Sequence, residues 1–196
     1  MTARNEPRLG IALMILTALV FAVQDGVSRH LAGRYDVVTV VMIRYWFFAA
    51  FVVTLAALRG GGLARVARTA QPGLQILRGV LLAAEICVTV LAFVLLGLIE
   101  THAVFAVYPL LVAALAGPML GEYVGWRRAL AILVGLIGVL IVLRPGLRVV
   151  SPEAAVPLLA AAMFALYNLL TRRAARLDSA ETSFFWTGVS GAVAIT

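Results

Sequence analysis

The chain has 196 residues, of which 63% are hydrophobic and 13% charged, and its mean hydropathy is +1.05. This composition lies far outside that of soluble domains, so the sequence predicts an integral membrane protein. The sixteen basic residues are all arginine, and against nine acids they leave a formal charge of +7. They lie in short clusters between apolar runs, without the basic stripe that nucleic acids require, so no nucleic-acid partner is expected.

Seven apolar runs follow one another along the chain, each close to the length that crosses a bilayer as a helix, about 20 residues. Alternating strand patterns are absent, so an all-α polytopic membrane protein is predicted. Arg4 and Arg8 before the first run also resemble the start of a secretory signal peptide, but the six further runs favour an uncleaved helix. The runs cover residues 9–27, 37–58, 79–99, 103–120, 129–143, 154–170 and from about 183 onward.

The arginines of the predicted loops indicate which way the chain crosses the membrane. If the N-terminus is cytoplasmic, eleven of them face the cytoplasm, including Arg59, Arg78 and Arg127, and four face outward. This bias predicts a cytoplasmic N-terminus. The four on the outer side are Arg29, Arg34, Arg144 and Arg148.

Internal repetition is visible when the chain is shifted by about 143 positions. Five helices per unit would make the second copy enter the membrane from the opposite side, as in inverted-repeat transporters. We therefore predict a first repeat over 1–146 and the start of a second over 151–196. The shift aligns Phe21 with Phe164, Asp25 with Asn168, Arg29 with Arg172 and Thr39 with Thr182.

Three stretches, RYWFFA, AVYPLLVAALAGPMLGE and WRRALAILVGLIGVLIVLRPG, make the chain resemble the EamA family of the drug/metabolite transporter superfamily. The resemblance implies ten helices in two five-helix repeats and transport of a small metabolite. An amino-acid-like, vitamin or drug-like solute would cross the membrane by alternating access. Because the chain stops inside the seventh run, a fragment or a truncated product is expected. A non-transporting membrane assembly subunit or a nonfunctional remnant is the alternative.

Two charges lie deep in the predicted helices and are the main candidates for a substrate pathway. Arg44 lies on the order of 10 Å below the outer surface, and Glu85 reaches a similar depth from the other side. Charges at this depth are costly in lipid, so both should face the bundle interior. Three interpretations of Arg44 stay open: a pathway residue, a partner of Glu85 that fixes helix packing, or an anchor that snorkels to the outer headgroups.

Five further residues are predicted to join this pathway. Gln24, Asp25 and Tyr108 could reach the same cavity, Trp46 lies close to Arg44 in the chain, and Pro109 should kink the fourth helix. Several glycines, Gly121, Gly135 and Gly138 among them, are expected to allow close helix packing instead.

Enzyme chemistry is disfavoured by what the sequence does not contain. It has no HExxH motif, no phosphate-binding loop, and two histidines that lie near predicted helix ends. We therefore expect no enzyme, no metal and no cofactor. The predicted partners are a small solute and the lipid bilayer, and a homodimer stays open. The arginine-rich, lysine-free composition suggests a GC-rich bacterium and hence its inner membrane.

Overall fold

The computed structural model describes residues 7–58, 62–121, 125–143, 146 and 151–196. All regular structure in these ranges is helical, which confirms the predicted all-α class. Arg4, Arg59, Glu122, Arg144 and Arg148 lie outside the described residues. The helices are α1 (Pro7–Ala32), α2 (Val37–Leu58), α3 (Gly62–Ala67), α4 (Pro72–Leu95), α5 (Leu98–Phe105), α6 (Tyr108–Leu120), α7 (Trp126–Leu143), α8 (Ala155–Ala174) and α9 (Ala180–Ile195).

Five stretches of the described chain are long and apolar enough to cross a membrane. They correspond to α1, α2, α4, the pair α5 and α6, and α8 with the 3-10 turn before it. Helices α7 and α9 coincide with the fifth and seventh predicted runs. Each of the seven predicted runs thus coincides with one helix or, for the fourth, with two, and five of the runs lie in stretches with the length and composition expected of a span.

Helix α4 is the central element of the bundle. It packs along both α8 and α9, while α2 packs on α9 and α4, and α6 packs on α8. Buried side chains of the resulting core include Val41, Tyr45, Ala83, Val90 and Ala192. The helices of the predicted first repeat are therefore held against those of the predicted second, whereas α1 lies at the edge with its apolar side chains exposed.

Small residues let α9 approach α2 and α4 closely. A Cβ added at Gly191 would overlap the ring of Tyr45, and one at Gly188 would lie 2.9 Å from a methyl carbon of Val52. The close packing expected at other glycines is not made among the described residues, because a Cβ at Gly135 or Gly138 would meet no atom within 4 Å. Gly121 instead terminates α6, because its φ of 70° lies in the left-handed region that helix ends commonly adopt at glycine.

The fourth predicted helix is broken where its proline was expected to disturb it. Helix α5 ends at Phe105 and α6 begins at Tyr108, with Pro109 in its first turn. Proline has no backbone N–H, but in the first turn of a helix this N–H would have no partner within the helix in any case. The break therefore separates two short helices that together form one span.

One predicted boundary is wrong by seven residues, and the difference matters for function. The third helix was expected to begin at residue 79, which would leave Arg78 in a loop. Helix α4 instead begins at Pro72, so Arg78 and Gln75 lie inside it. Both side chains are fully buried against α8 and α9, where hydrogen bonds replace the water that a loop arginine would contact.

Candidate functional site

A group of polar side chains from four helices meets inside this apolar bundle. We call it the polar cluster; it consists of Gln24 and Asp25 on α1, Arg44 on α2, Glu85 and Thr89 on α4, and His102 on α5. Four of its members were predicted from the sequence, and Thr89 and His102 join them. Polar and charged groups at membrane depth are rare and usually face a bundle interior or a water-filled cavity.

The Arg44 guanidinium is held by the neighbouring helix α1. With the Gln24 amide turned so that its oxygen faces Arg44, the oxygen accepts hydrogen bonds from Nη2 at 2.9 Å and from Nη1 at 3.2 Å. This two-pronged contact matches the planar fork of a guanidinium. Arg44 is therefore tied to α1 within the bundle in this structure, in contrast to an arginine that snorkels to the headgroups.

Glu85 is 4% exposed and accepts a hydrogen bond of 2.7 Å from the Thr89 hydroxyl, one helical turn further along α4. The charges of Arg44, Asp25 and Glu85 interact electrostatically. The hydrogen bonds described for Arg44 and Glu85 nevertheless go to Gln24 and Thr89. Arg44 and Glu85 thus attract one another through space, while Arg44 donates to Gln24 and Glu85 accepts from Thr89.

Asp25 and His102 form the more accessible part of the polar cluster. Nε2 of His102 lies 3.4 Å from Oδ2 of Asp25, and the two side chains are 44% and 25% exposed. The imidazole also packs against the Phe93 ring, with the ring centres 5.4 Å apart. His102 is thus the exposed member of the cluster, whereas Glu85 is buried.

Three predicted pathway residues lie away from the polar cluster. The indole N–H of Trp46 donates to the hydroxyl of Thr196 at 2.9 Å, and half of this side chain is exposed. Tyr108 and Pro109 line a separate cavity of about 360 Å³ between α6, α7 and α8, together with Asn168 and Arg172. The structure therefore divides the predicted site among three places in the bundle.

A second buried polar group was missed by sequence reasoning. We call it the α4–α8 network; it consists of Thr69, Gln75, Arg78, Tyr167, Thr171, Asp178 and Ser183. Arg78 is 1% exposed and Gln75 is 0% exposed. Their spacing of three positions puts them on one face of a helix, and this was the signal that could have placed Arg78 inside α4.

The carboxylate of Asp178 in this network lies in the connection between α8 and α9. Burial alone would raise its pKa, but hydrogen bonds from Thr69, Gln75 and the Ala70 N–H, together with the Arg78 charge, lower it below the usual 3.8. A lowered pKa means that the charged form is the one favoured by the fold. Its stabilising effect is full above pH 3.8 and is lost only as the pH falls through the lowered pKa.

No metal site accompanies either group in the part of the chain that the structure describes. No three His, Cys, Asp or Glu side chains converge there on a position that could hold an ion. What the polar cluster offers is a guanidinium cation, two carboxylates, an amide, a hydroxyl and an imidazole. Such groups can bind a polar solute through hydrogen bonds and charge.

Removing the charges of Arg44 and Glu85 should show that they stabilise one another. We expect Arg44→Gln and Glu85→Gln each to lower the melting temperature in detergent, because each leaves an uncompensated charge inside the bundle. The double variant should lose less stability than the two single variants lose together, with a coupling free energy on the order of 0.5–3 kcal/mol. Arg44→Gln combined with Arg127→Gln is the control and should be additive. If the stability losses at Arg44 and Glu85 are additive, like those of the control pair, the two charges are not coupled.

These features define a polytopic helical membrane protein with charged groups inside the bundle, an arrangement found in transporters. The family model of the EamA-like transporter family matches residues 8–144, so the chain belongs to this family.

Curated relatives agree with this assignment. The chain is 23% identical over 180 residues to the S-adenosylmethionine uptake transporter of Rickettsia prowazekii, with 92% of this chain and 60% of the relative covered. It is 27% identical to the riboflavin transporter of Vibrio cholerae, with 93% and 61% covered. It is 31% identical to the riboflavin transporter of Brucella anthropi, with 78% and 54% covered. The chain thus spans about three fifths of the length of the first two relatives. No solved structure matches it at a significant level.

Proposed function

We propose that this protein is a secondary transporter that carries a small metabolite across the bacterial inner membrane by alternating access. The observation that carries the proposal is the polar cluster, in which four helices bring Arg44, Glu85 and their partners together inside an apolar bundle. Charged groups inside a membrane bundle cost free energy, and where they occur they usually mark a binding site or a pathway for a polar solute. The relatives named as transporters support the same reading, and they disfavour a non-transporting assembly subunit.

The charges of the cluster favour a substrate that carries both signs, such as an amino-acid-like group. Arg44 can bind a carboxylate through its planar fork, with Gln24 holding the guanidinium in place. Glu85 and Asp25 can accept hydrogen bonds from an ammonium group. S-adenosylmethionine, which the Rickettsia relative is named for taking up, carries such an amino-acid group, whereas riboflavin does not carry one.

The proposal includes an orientation of the protein in the membrane. The arginine bias supports a cytoplasmic N-terminus, which would place the polar cluster in the outer half of the membrane because α1 reaches Gln24 near its end. In a Cys87→Ser background, an impermeant maleimide should label Arg34→Cys in intact cells and Arg127→Cys only after permeabilisation. The reverse pattern would invert the orientation.

Uptake into proteoliposomes tests the function directly. We expect labelled S-adenosylmethionine or a mixture of labelled amino acids to accumulate in, or exchange across, vesicles that contain the protein and not in empty vesicles. Riboflavin is the comparison solute, since two relatives are named for it. Transport of riboflavin alone would overturn the substrate class, and no movement of any of the three would contradict the transporter proposal for these solutes.

A further inference from the structure

The α4–α8 network ties together two connections that lie far apart in the sequence. Asp178, between α8 and α9, accepts hydrogen bonds from the Thr69 hydroxyl at 2.6 Å and from the Ala70 N–H at 3.0 Å. It also accepts one from the Gln75 amide at 2.8 Å. All three donors belong to the segment that leads into α4 or to its first turn. One carboxylate thus joins the predicted first repeat to the predicted second.

A buried arginine lies directly beneath this contact. Arg78 donates to the Gln75 side-chain oxygen and to the Thr171 hydroxyl at 3.1 Å, and its guanidinium lies 5.3 Å from the centre of the Tyr167 ring. Gln75 therefore bridges Arg78 and Asp178, because its oxygen accepts from the arginine while its amide donates to the carboxylate. A buried cation of this kind is stable only while its hydrogen-bonded surroundings stay assembled.

The two polar groups lie at different levels along α4. Arg78 and Glu85 are separated by about 10 Å along the helix, at 1.5 Å per residue. In the polar cluster, Asp25 and His102 are partly exposed, at 25% and 44%. In the network, Gln75 and Arg78 are buried, and Asp178 and Thr69 at its outer side are partly exposed. The network therefore crosses the bundle near the end where α4 begins, with Gln75 and Arg78 enclosed by hydrogen bonds to α8 and α9.

We infer that the α4–α8 network is a latch that closes the transport pathway at the end where α4 begins, and that it opens during the transport cycle. This inference rests on the proposed function, because alternating access requires a barrier that forms and breaks on each side. Hydrogen bonds suit such a barrier, since their net contribution is modest when water can replace the lost partner. A tie that only holds the fold together would instead stay closed throughout the cycle.

Spin-label distances test the latch without depending on transport. In a Cys87→Ser background, labels at Arg68→Cys and Ala175→Cys would lie on the two sides of the Asp178 contact, at exposed positions. We expect one short distance in this parent and an additional longer one in Asp178→Asn, which keeps the shape of the side chain and removes its charge. The ratio of the long to the short population should rise about tenfold, as expected when hydrogen bonds to a charged group are weakened.

Two further variants make this result decisive. Thr69→Val removes one donor to Asp178 and should shift the populations in the same direction, by less. Arg176→Gln removes a charge from the same connection without removing a described contact to Asp178, and it should leave the parent distribution unchanged. Parent distances in both Asp178→Asn and Thr69→Val would overturn the latch. That outcome would leave the transporter proposal standing. A shifted distance distribution in a protein that transports none of the tested solutes would instead support the opening contact and contradict the transporter proposal.

A cross-link tests whether opening is needed for transport. Thr69→Cys and Asp178→Cys in the Cys87→Ser background replace two side chains that touch in the closed latch. Oxidation to the disulfide should block solute uptake, and a reductant should restore it. Full uptake by protein that is completely cross-linked would overturn the latch.

Discussion

Gly191→Ala is expected to destabilise the bundle strongly, because the added methyl group has no space. A Cβ at this position would lie 2.9 Å from Cδ1 and 3.0 Å from Cζ of Tyr45, and closer still to the carbon between them. The Tyr45 ring is 1% exposed and cannot move away without displacing the core between α2 and α9. Overpacking of this kind costs roughly 1–3 kcal/mol. The melting temperature in detergent and the yield of monodisperse protein should both fall.

Gly135→Ala is the matched control for this substitution. It makes the same chemical change on another apolar helix, α7, but its added methyl group would meet no described atom within 4 Å. We expect no loss of stability there, and alanine's higher helix propensity could give a small gain. Equal melting temperatures for Gly191→Ala and Gly135→Ala would show that the contact between α9 and Tyr45 is looser than described.

Arg44→Lys is expected to abolish most transport while leaving insertion and abundance close to the wild type. Lysine keeps the positive charge but lacks the planar fork that binds the Gln24 oxygen through two nitrogens. The same fork is proposed to receive a carboxylate of the substrate. The loss of hydrogen bonds to a charged group should lower the initial uptake rate roughly tenfold or more. Uptake into proteoliposomes with matched protein content measures this.

Arg127→Lys controls for the exchange of arginine by lysine itself. Arg127 lies at the start of α7, exposed, and its described contact is with the ring of its neighbour Trp126. Uptake by this variant should equal that of the wild type. If Arg44→Lys also transports normally, the guanidinium of Arg44 has a structural task and the proposed pathway must run elsewhere.

The long apolar helices and part of the polar cluster could be predicted from the sequence. Helix α2 begins at Val37 and ends at Leu58, as expected, because a continuous apolar run bounded by polar turns has few alternatives in a membrane. The depth predicted for Arg44 followed from counting residues along α2, whose start at Val37 was predicted correctly. The depth of Glu85 was counted from residue 79, whereas α4 begins at Pro72, so Glu85 lies near the middle of its helix.

Other parts of the site depended on facts that no single helix contains. Trp46 is two residues from Arg44, but two positions on a helix turn the side chain to another face, so it reaches Thr196 instead. Tyr108 was expected near the polar cluster, but the break before α6 and the packing on α8 direct it to a different cavity. His102 is one of the two histidines noted only for lying near predicted helix ends, and the position of α5 beside α1 brings it to Asp25.

The sequence by itself determined that this chain is helical, membrane-embedded and similar to a transporter family, because hydrocarbon leaves the backbone almost no choice but helices. It also determined that a few charges lie deep in these helices. Tertiary structure alone decided what those charges contact. Arg78 seemed a loop residue by hydropathy, yet α8 supplies a hydroxyl and an aromatic ring beside it, and Gln75 links it to the carboxylate of Asp178. Such partners come from distant positions, and local composition cannot predict which helices will bring them together.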